Sequence, residues 1–161
     1  MTFTYLCSTA NDTQNLAATL GKAVKSGDVI AFFSDLGGGK TTFVKGLARG
    51  MDVTDVVQSP TFTISQIHQA GRGLELHHFD FYRLGEAGIM SAELAESLAQ
   101  PNAVVAIEWG DIMRSVMPKQ YIHMTLRTQD NEARLIIIEC PQQATHIIKA
   151  LQNYQQNRTG Q

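Results

Sequence analysis

Cysteine is scarce in this chain: Cys7 and Cys140 are the only two among 161 residues. Both lie in apolar, strand-like stretches far apart in sequence. That speaks against a disulfide framework or a cysteine metal site and for buried free thiols. Proline is sparse too, with four residues, and no linker, repeat or low-complexity segment interrupts the chain. Charge is modest, 17% with a formal net of −2, and the basic residues are scattered. A free-standing nucleic-acid binder would carry a basic stripe; work on RNA through a partner is not excluded. No apolar run approaches the ~20 residues of a membrane span. Met1 to Ser8 lacks the basic start and apolar core of a signal peptide, so a cytoplasmic protein is expected. The length fits one domain, residues 1–161, large enough to bury a proper core.

What is present is a glycine-rich run, Ser34-Asp35-Leu36-Gly37-Gly38-Gly39-Lys40-Thr41. It follows the apolar stretch Val29–Phe33 and opens into a helix-like stretch, Thr42 to Gly50. Strand, glycine loop, Lys-Thr and helix is the layout of a phosphate-binding P-loop. Glycines lack Cβ, so Gly37, Gly38 and Gly39 let backbone N–H groups close around phosphate oxygens. The first helical turn adds unpaired N–H donors and the positive end of its dipole. Lys40 would then neutralise the β- and γ-phosphates, and the Thr41 hydroxyl would ligate Mg²⁺. Ser34 stands where the pattern G-x-x-x-x-G-K-[ST] has its first glycine. The competing reading is a glycine-rich turn that happens to precede Lys-Thr.

Around this loop the periodicities alternate between strand and helix. Thr2 to Cys7 alternates as a strand. Asn11 to Lys25 reads as a helix, with Asn11 and Gln14 as a capping box and Leu16, Leu20 and Val24 on one face. Thr61 to His68 and Leu74 to Asp80 predict a hairpin about Ala70–Gly73. Ser91 to Ala99 reads as a short helix with Ser91 as N-cap. Ala103 to Glu108 is a buried strand. Tyr121 to Arg127 and Arg134 to Cys140 predict a second hairpin. Gln142 to Gln156 predicts a last helix, with a frayed polar tail from Asn157. The expected fold is α/β, a three-layer P-loop NTPase-like fold with a mixed sheet.

In open α/β sheets ligands bind beyond the carboxyl ends of the strands. Asp80 and Glu108 each end a predicted strand. If those strands run parallel to Val29–Phe33, both acids converge on the phosphate end, where a Mg²⁺–nucleotide site needs carboxylates to hold metal and orient water. Either acid could instead be an ordinary salt-bridged residue. Thr61, after Ser59-Pro60, is a candidate to sense the γ-phosphate through Mg²⁺, as switch loops do, or simply starts a strand. Asp35 reads as shaping the loop. His77 and His78 point to opposite sheet faces by alternation and read as core or hydrogen-bonded residues. Trp109 would pack, wall the nucleotide site or serve a docking surface. No D-x-x-G follows Asp80 and no [NT]-K-x-D motif occurs, which favours ATP over GTP.

Taken together, these blocks resemble the bacterial TsaE (YjeE) family, the ATPase component of tRNA threonylcarbamoyladenosine biosynthesis. The matching segments are Asp35–Phe43, Ser59-Pro60-Thr61-Phe62-Thr63, His78-Phe79-Asp80-Phe81-Tyr82-Arg83-Leu84 and Ile107-Glu108-Trp109. Two departures are visible: Ser34 where the family loop usually has Gly, and Gly38 where it usually has Ala. The resemblance implies nucleotide contacts from Asp35, Leu36, Gly37, Gly38, Gly39, Lys40, Thr41, Thr42 and Trp109. It implies Mg²⁺ held by Thr41, Thr61, Asp80 and Glu108, with Lys40, Asp80 and Glu108 as the catalytic groups. It further implies ATP hydrolysis that resets a transferase made of TsaD and its paralogue TsaB, with tRNA engaged only indirectly. A small-molecule kinase and a non-hydrolysing nucleotide switch remain the alternatives.

Overall fold

The computed structural model describes residues 1–84, 88, 90–109, 113 and 115–159. Among them, seven strands form one sheet: β1 (Thr2–Cys7), β2 (Val29–Phe33), β3 (Ser65–Gln69), β4 (Glu75–Asp80), β5 (Ala103–Glu108), β6 (Ile122–Thr128) and β7 (Arg134–Glu139). Their order across the sheet is β1-β7-β6-β2-β5-β4-β3. The helices are α1 (Ala10–Ala23), α2 (Lys40–Gly50), α3 (Met90–Ala99) and α4 (Thr145–Thr159). β2 runs parallel to both its neighbours, β5 and β6, and β4 runs parallel to β5. β3 and β7 return antiparallel as hairpin partners of β4 and β6, and β1 adds antiparallel to β7. The sheet is therefore mixed, and the carboxyl ends of β2, β4 and β5 open on the same side.

Two apolar clusters make the layers. One face of the sheet packs Ile30, Phe32, Val104, Ala106, Ile136 and Ile138 against Leu16, Leu20, Phe43, Leu47, Ile147 and Leu151 of α1, α2 and α4. The other face packs Val29, Phe79, Val105 and Ile107 against Leu94 of α3 and Met113. β5 is buried along its whole length, as a central strand covered on both faces should be. The crossing of α1 and α2 is very close. A Cβ on Gly46 would lie 2.5 Å from the Gln14 carbonyl oxygen and 2.7 Å from Ala17 Cβ. Glycine there lets the two helix backbones touch.

Several element ends differ from the sequence expectation. The cap of α1 is Thr9, not Asn11: Asp12 N donates to Thr9 Oγ1 at 3.1 Å and Thr9 N donates to Asp12 Oδ2 at 2.9 Å. Thr9 is the residue still in extended conformation (φ −132°, ψ 163°), which an N-cap requires; Asn11 already lies in the helix. Ser91 sits inside the first turn of α3, its hydroxyl donating to the Gly88 carbonyl. α4 begins at Thr145, after a turn in which Ala144 N donates to the Pro141 carbonyl. It continues to Thr159 instead of fraying at Asn157, because the Arg158 guanidinium lies over the Tyr154 ring and donates to the Leu6 carbonyl. β3 starts at Ser65 rather than Thr61. The chain before it turns, with Ile64 at φ 69° and its N–H donating to the Pro60 carbonyl.

Candidate functional site

β2 carries the chain out of the core into the glycine loop, and α2 starts at Lys40. Gly39, the residue before the helix, has φ 98°, a left-handed conformation that only glycine holds without strain. The Lys40 side chain curls back over the loop. Its Nζ donates to Ser34 Oγ at 2.8 Å and to the Asp35 carbonyl at 3.2 Å, and it lies 4.2 Å from the centre of the Trp109 ring. Burial holds this ammonium below the usual lysine range, while the carboxylates of Glu108, Asp80 and Asp35 pull the other way. The cation is poorly hydrated and close to anions, as a phosphate ligand should be.

The two acids meet as neighbours. In the parallel β4–β5 ladder Asp80 stands directly opposite Glu108, and both are nearly fully buried, at 4% and 2% exposure. Asp80 Oδ2 accepts from Ser59 Oγ at 2.7 Å and from Thr61 Oγ1 at 2.8 Å, and Oδ1 accepts from Tyr82 N at 3.1 Å. This explains the late start of β3: the hydroxyls of Ser59 and Thr61 are drawn to Asp80 instead of extending the strand. Glu108 Oε1 accepts from Thr41 Oγ1 at 3.4 Å and pairs with His78 Nε2 at 2.9 Å. Trp109, which follows, has φ 59°. Positive φ at Ile64 and Trp109 is backbone strain beside one crevice, a pattern typical of functional sites.

The crevice has a volume of about 430 Å³ and is walled by the loop from Leu36 to Thr42, by Ser59 and Thr61, and by Asp80, Tyr82, Arg83, Glu108 and Trp109. Of the residues singled out from sequence, the structure brings together Leu36, Gly37, Gly38, Gly39, Lys40, Thr41, Thr42, Thr61, Asp80, Glu108 and Trp109. Asp35 is not on the wall; it offers its carbonyl to Gly38 N, Lys40 and Ser34, a loop-shaping part. His77 faces away, bonded to Ser97 of α3 at 2.8 Å. The donor set of two carboxylates and two hydroxyls is all oxygen and suits a hard cation such as Mg²⁺, which retains water and phosphate oxygens in its shell. Among the described residues no group of three or more His, Cys, Asp or Glu is arranged to hold a metal ion.

Sequence reasoning missed a second hollow on the other flank of the loop. It measures about 380 Å³ and shares Gly37, Gly39 and Thr42 with the first; its far walls are Ser8–Ala10 and Thr13 around the start of α1, Asn131 and Glu132 in the β6–β7 turn, and Arg134 at the start of β7. Arg134 Nη2 lies 3.4 Å from the Gly37 carbonyl. The signal that would have found it is topological. β6 neighbours β2, so the turn after β6 must lie beside the loop after β2.

The fold and loop define the class: a three-layer α/β protein with a P-loop NTPase-like fold. Residues 7–153 match the family model described as "Threonylcarbamoyl adenosine biosynthesis protein TsaE". The chain is 38% identical over 125 residues to the tRNA threonylcarbamoyladenosine biosynthesis protein TsaE of Nostoc sp. PCC 7120, covering 76% of each protein. It is 32% identical over 126 residues to the protein of that name from Bacillus subtilis, covering 78% of this chain and 77% of the relative. Among solved structures it is similar to Bacillus subtilis YdiB, with a TM-score of 0.79 and 25% identity over 96% of this chain and 97% of that one. The chain belongs to the TsaE family.

Proposed function

We propose that this chain is a Mg²⁺-dependent ATPase of tRNA threonylcarbamoyladenosine biosynthesis, acting on a transferase assembly of TsaB and TsaD. The observation that carries the reading is one crevice holding the P-loop pair Lys40–Thr41 opposite the paired acids Asp80 and Glu108. Triphosphate would lie along the N–H groups of Gly37 to Thr42, with the purine and ribose over the hollow beside Thr9 and Arg134. Lys40 would leave Ser34 and reach the β- and γ-phosphates. Thr41, Asp80 and Thr61 would hold Mg²⁺, which would supply charge neutralisation across the β- and γ-phosphate oxygens. Glu108 orients the attacking water and accepts its proton as the water oxygen bonds to the γ-phosphorus. The bond to the β,γ-bridging oxygen breaks, and that oxygen leaves on ADP. Membership of the family, together with the names its relatives carry, supports the pathway. No helix among the described residues is long and apolar enough to cross a membrane.

The test is ATP hydrolysis by the wild-type chain with and without TsaB and TsaD, beside Lys40→Ala and Glu108→Ala. Weak turnover, stimulated by the pair and abolished by both substitutions, is the expected result. Tight ATP binding without hydrolysis, with or without the pair, would refute it and leave a binding switch.

A further inference from the structure

We infer that His78 is a positioning residue for Glu108. This rests on the reading of Glu108 as the group that orients the attacking water. His78 lies on β4 two residues before Asp80, on the same face of the sheet, and is wholly buried. Its Nε2 is 2.9 Å from Glu108 Oε1. Its Nδ1 is buried with no partner among the described residues. A proton on Nδ1 would be stranded, so the ring proton belongs on Nε2, which donates to the carboxylate. Thr41 also donates to Oε1. Both bonds fall on one oxygen, which leaves Oε2 without a hydrogen-bond partner among the described residues. A carboxylate held at one oxygen cannot swing freely, and the other oxygen is presented at a fixed angle.

The surroundings add an independent argument. Gln66 of β3 stands directly opposite His78, and its Oε1 is buried without a partner, as is His68 Nε2 two residues along that strand. An apolar cluster would pack here with less penalty, because burying unpaired polar atoms is unfavourable. Local departures of this kind are expected where a site needs them.

The experiment compares His78→Leu, which removes the donor, with His78→Gln, which offers an amide N–H in its place. Steady-state hydrolysis of Mg²⁺-ATP and calorimetric nucleotide affinity are measured on the whole chain. His78→Leu should lower kcat about 10- to 100-fold, the usual loss for a partner that orients a working ligand. KM and nucleotide affinity should stay within about threefold, since only the chemical step loses support. His78→Gln should recover most of kcat. Unchanged kcat in His78→Leu, equal losses in both variants, or a loss confined to nucleotide affinity would each overturn the inference. A second measurement needs neither turnover nor the leucine variant. Nitrogen-15 NMR of the imidazoles, assigned by the signal missing in His78→Gln, should show the Nε2–H tautomer with a proton resonance that moves in Glu108→Gln. An Nδ1–H tautomer, or a resonance indifferent to Glu108, overturns the inference. If the wild type hydrolyses no ATP, the ATPase reading fails, and the tautomer result alone then decides the placement of His78.

Discussion

Replacing Gly38 with alanine should impair this loop. A Cβ on Gly38 would stand 2.4 Å from Ser34 Oγ, 2.7 Å from Ser34 Cβ and 3.0 Å from the Asp35 carbonyl. Carbon atoms pack comfortably at about 3.5–4.0 Å, so the loop has to open by about 1 Å. The hydroxyl can rotate away, but Ser34 Cβ cannot. Overpacking on this scale costs about 1–3 kcal/mol, and at 1.4 kcal/mol per tenfold the nucleotide affinity should fall about 5- to 150-fold. Ser34→Gly alone removes one hydrogen bond to Lys40, worth about 0.5–1.5 kcal/mol, which phosphate would displace in any case. The double variant Ser34→Gly/Gly38→Ala should bind ADP nearly as the wild type does. Isothermal titration calorimetry on the four proteins closes the cycle, with an expected coupling of about 1–3 kcal/mol. If Gly38→Ala binds as the wild type does, or the double variant is as weak as Gly38→Ala, the two departures are independent and the reasoning fails.

Gly46→Ala tests the helix crossing: propensity alone predicts about 1 kcal/mol of stabilisation, whereas the contact with the Gln14 carbonyl predicts a net loss of about 1–3 kcal/mol, so the sign of the shift in a urea titration decides. Arg134→Ala, on the rim of the second hollow, should weaken ADP binding about tenfold, as loss of one charge-assisted bond implies; unchanged calorimetric affinity would place the nucleotide elsewhere. Burial pushes the Cys140 thiol up to about 11 and the Tyr5 phenol up to about 12. Both groups hold their protons more tightly when folded, so stability is complete below pH 9 and is lost as pH rises from about 9 to 12, with about 2–3 kcal/mol of that loss due to Cys140. A flat denaturation midpoint across that range would contradict it.

The strands that build the crevice were legible because burial on both faces writes a continuous apolar run. Val29–Phe33 and Ala103–Glu108 appear with the expected limits, and the acid at the end of the latter falls beside Asp80 because β4 and β5 run parallel. The start of β3 was not legible. Thr61 to His68 alternates like a strand, yet Ser59 and Thr61 turn toward a carboxylate about twenty residues away in sequence, a pairing no local pattern encodes. Arg134 was missed for the same reason: its place beside Gly37 depends on strand order. The departures at Ser34 and Gly38 were visible as separate facts; only three dimensions show that the side chain gained at one fills the space left at the other.

Trp109 is the only tryptophan in the chain, and it lies against the Lys40 ammonium and 5.1 Å from the Tyr82 ring. Once a phosphate draws Lys40 away, the indole loses a cation from its face. Its intrinsic emission should therefore change with every nucleotide that enters or leaves, undiluted by any other indole. Under the nucleotide reading proposed above, the indole would serve as an optical sensor of occupancy, read without attaching a label. Arrival of a partner at the crevice mouth would register on the same channel.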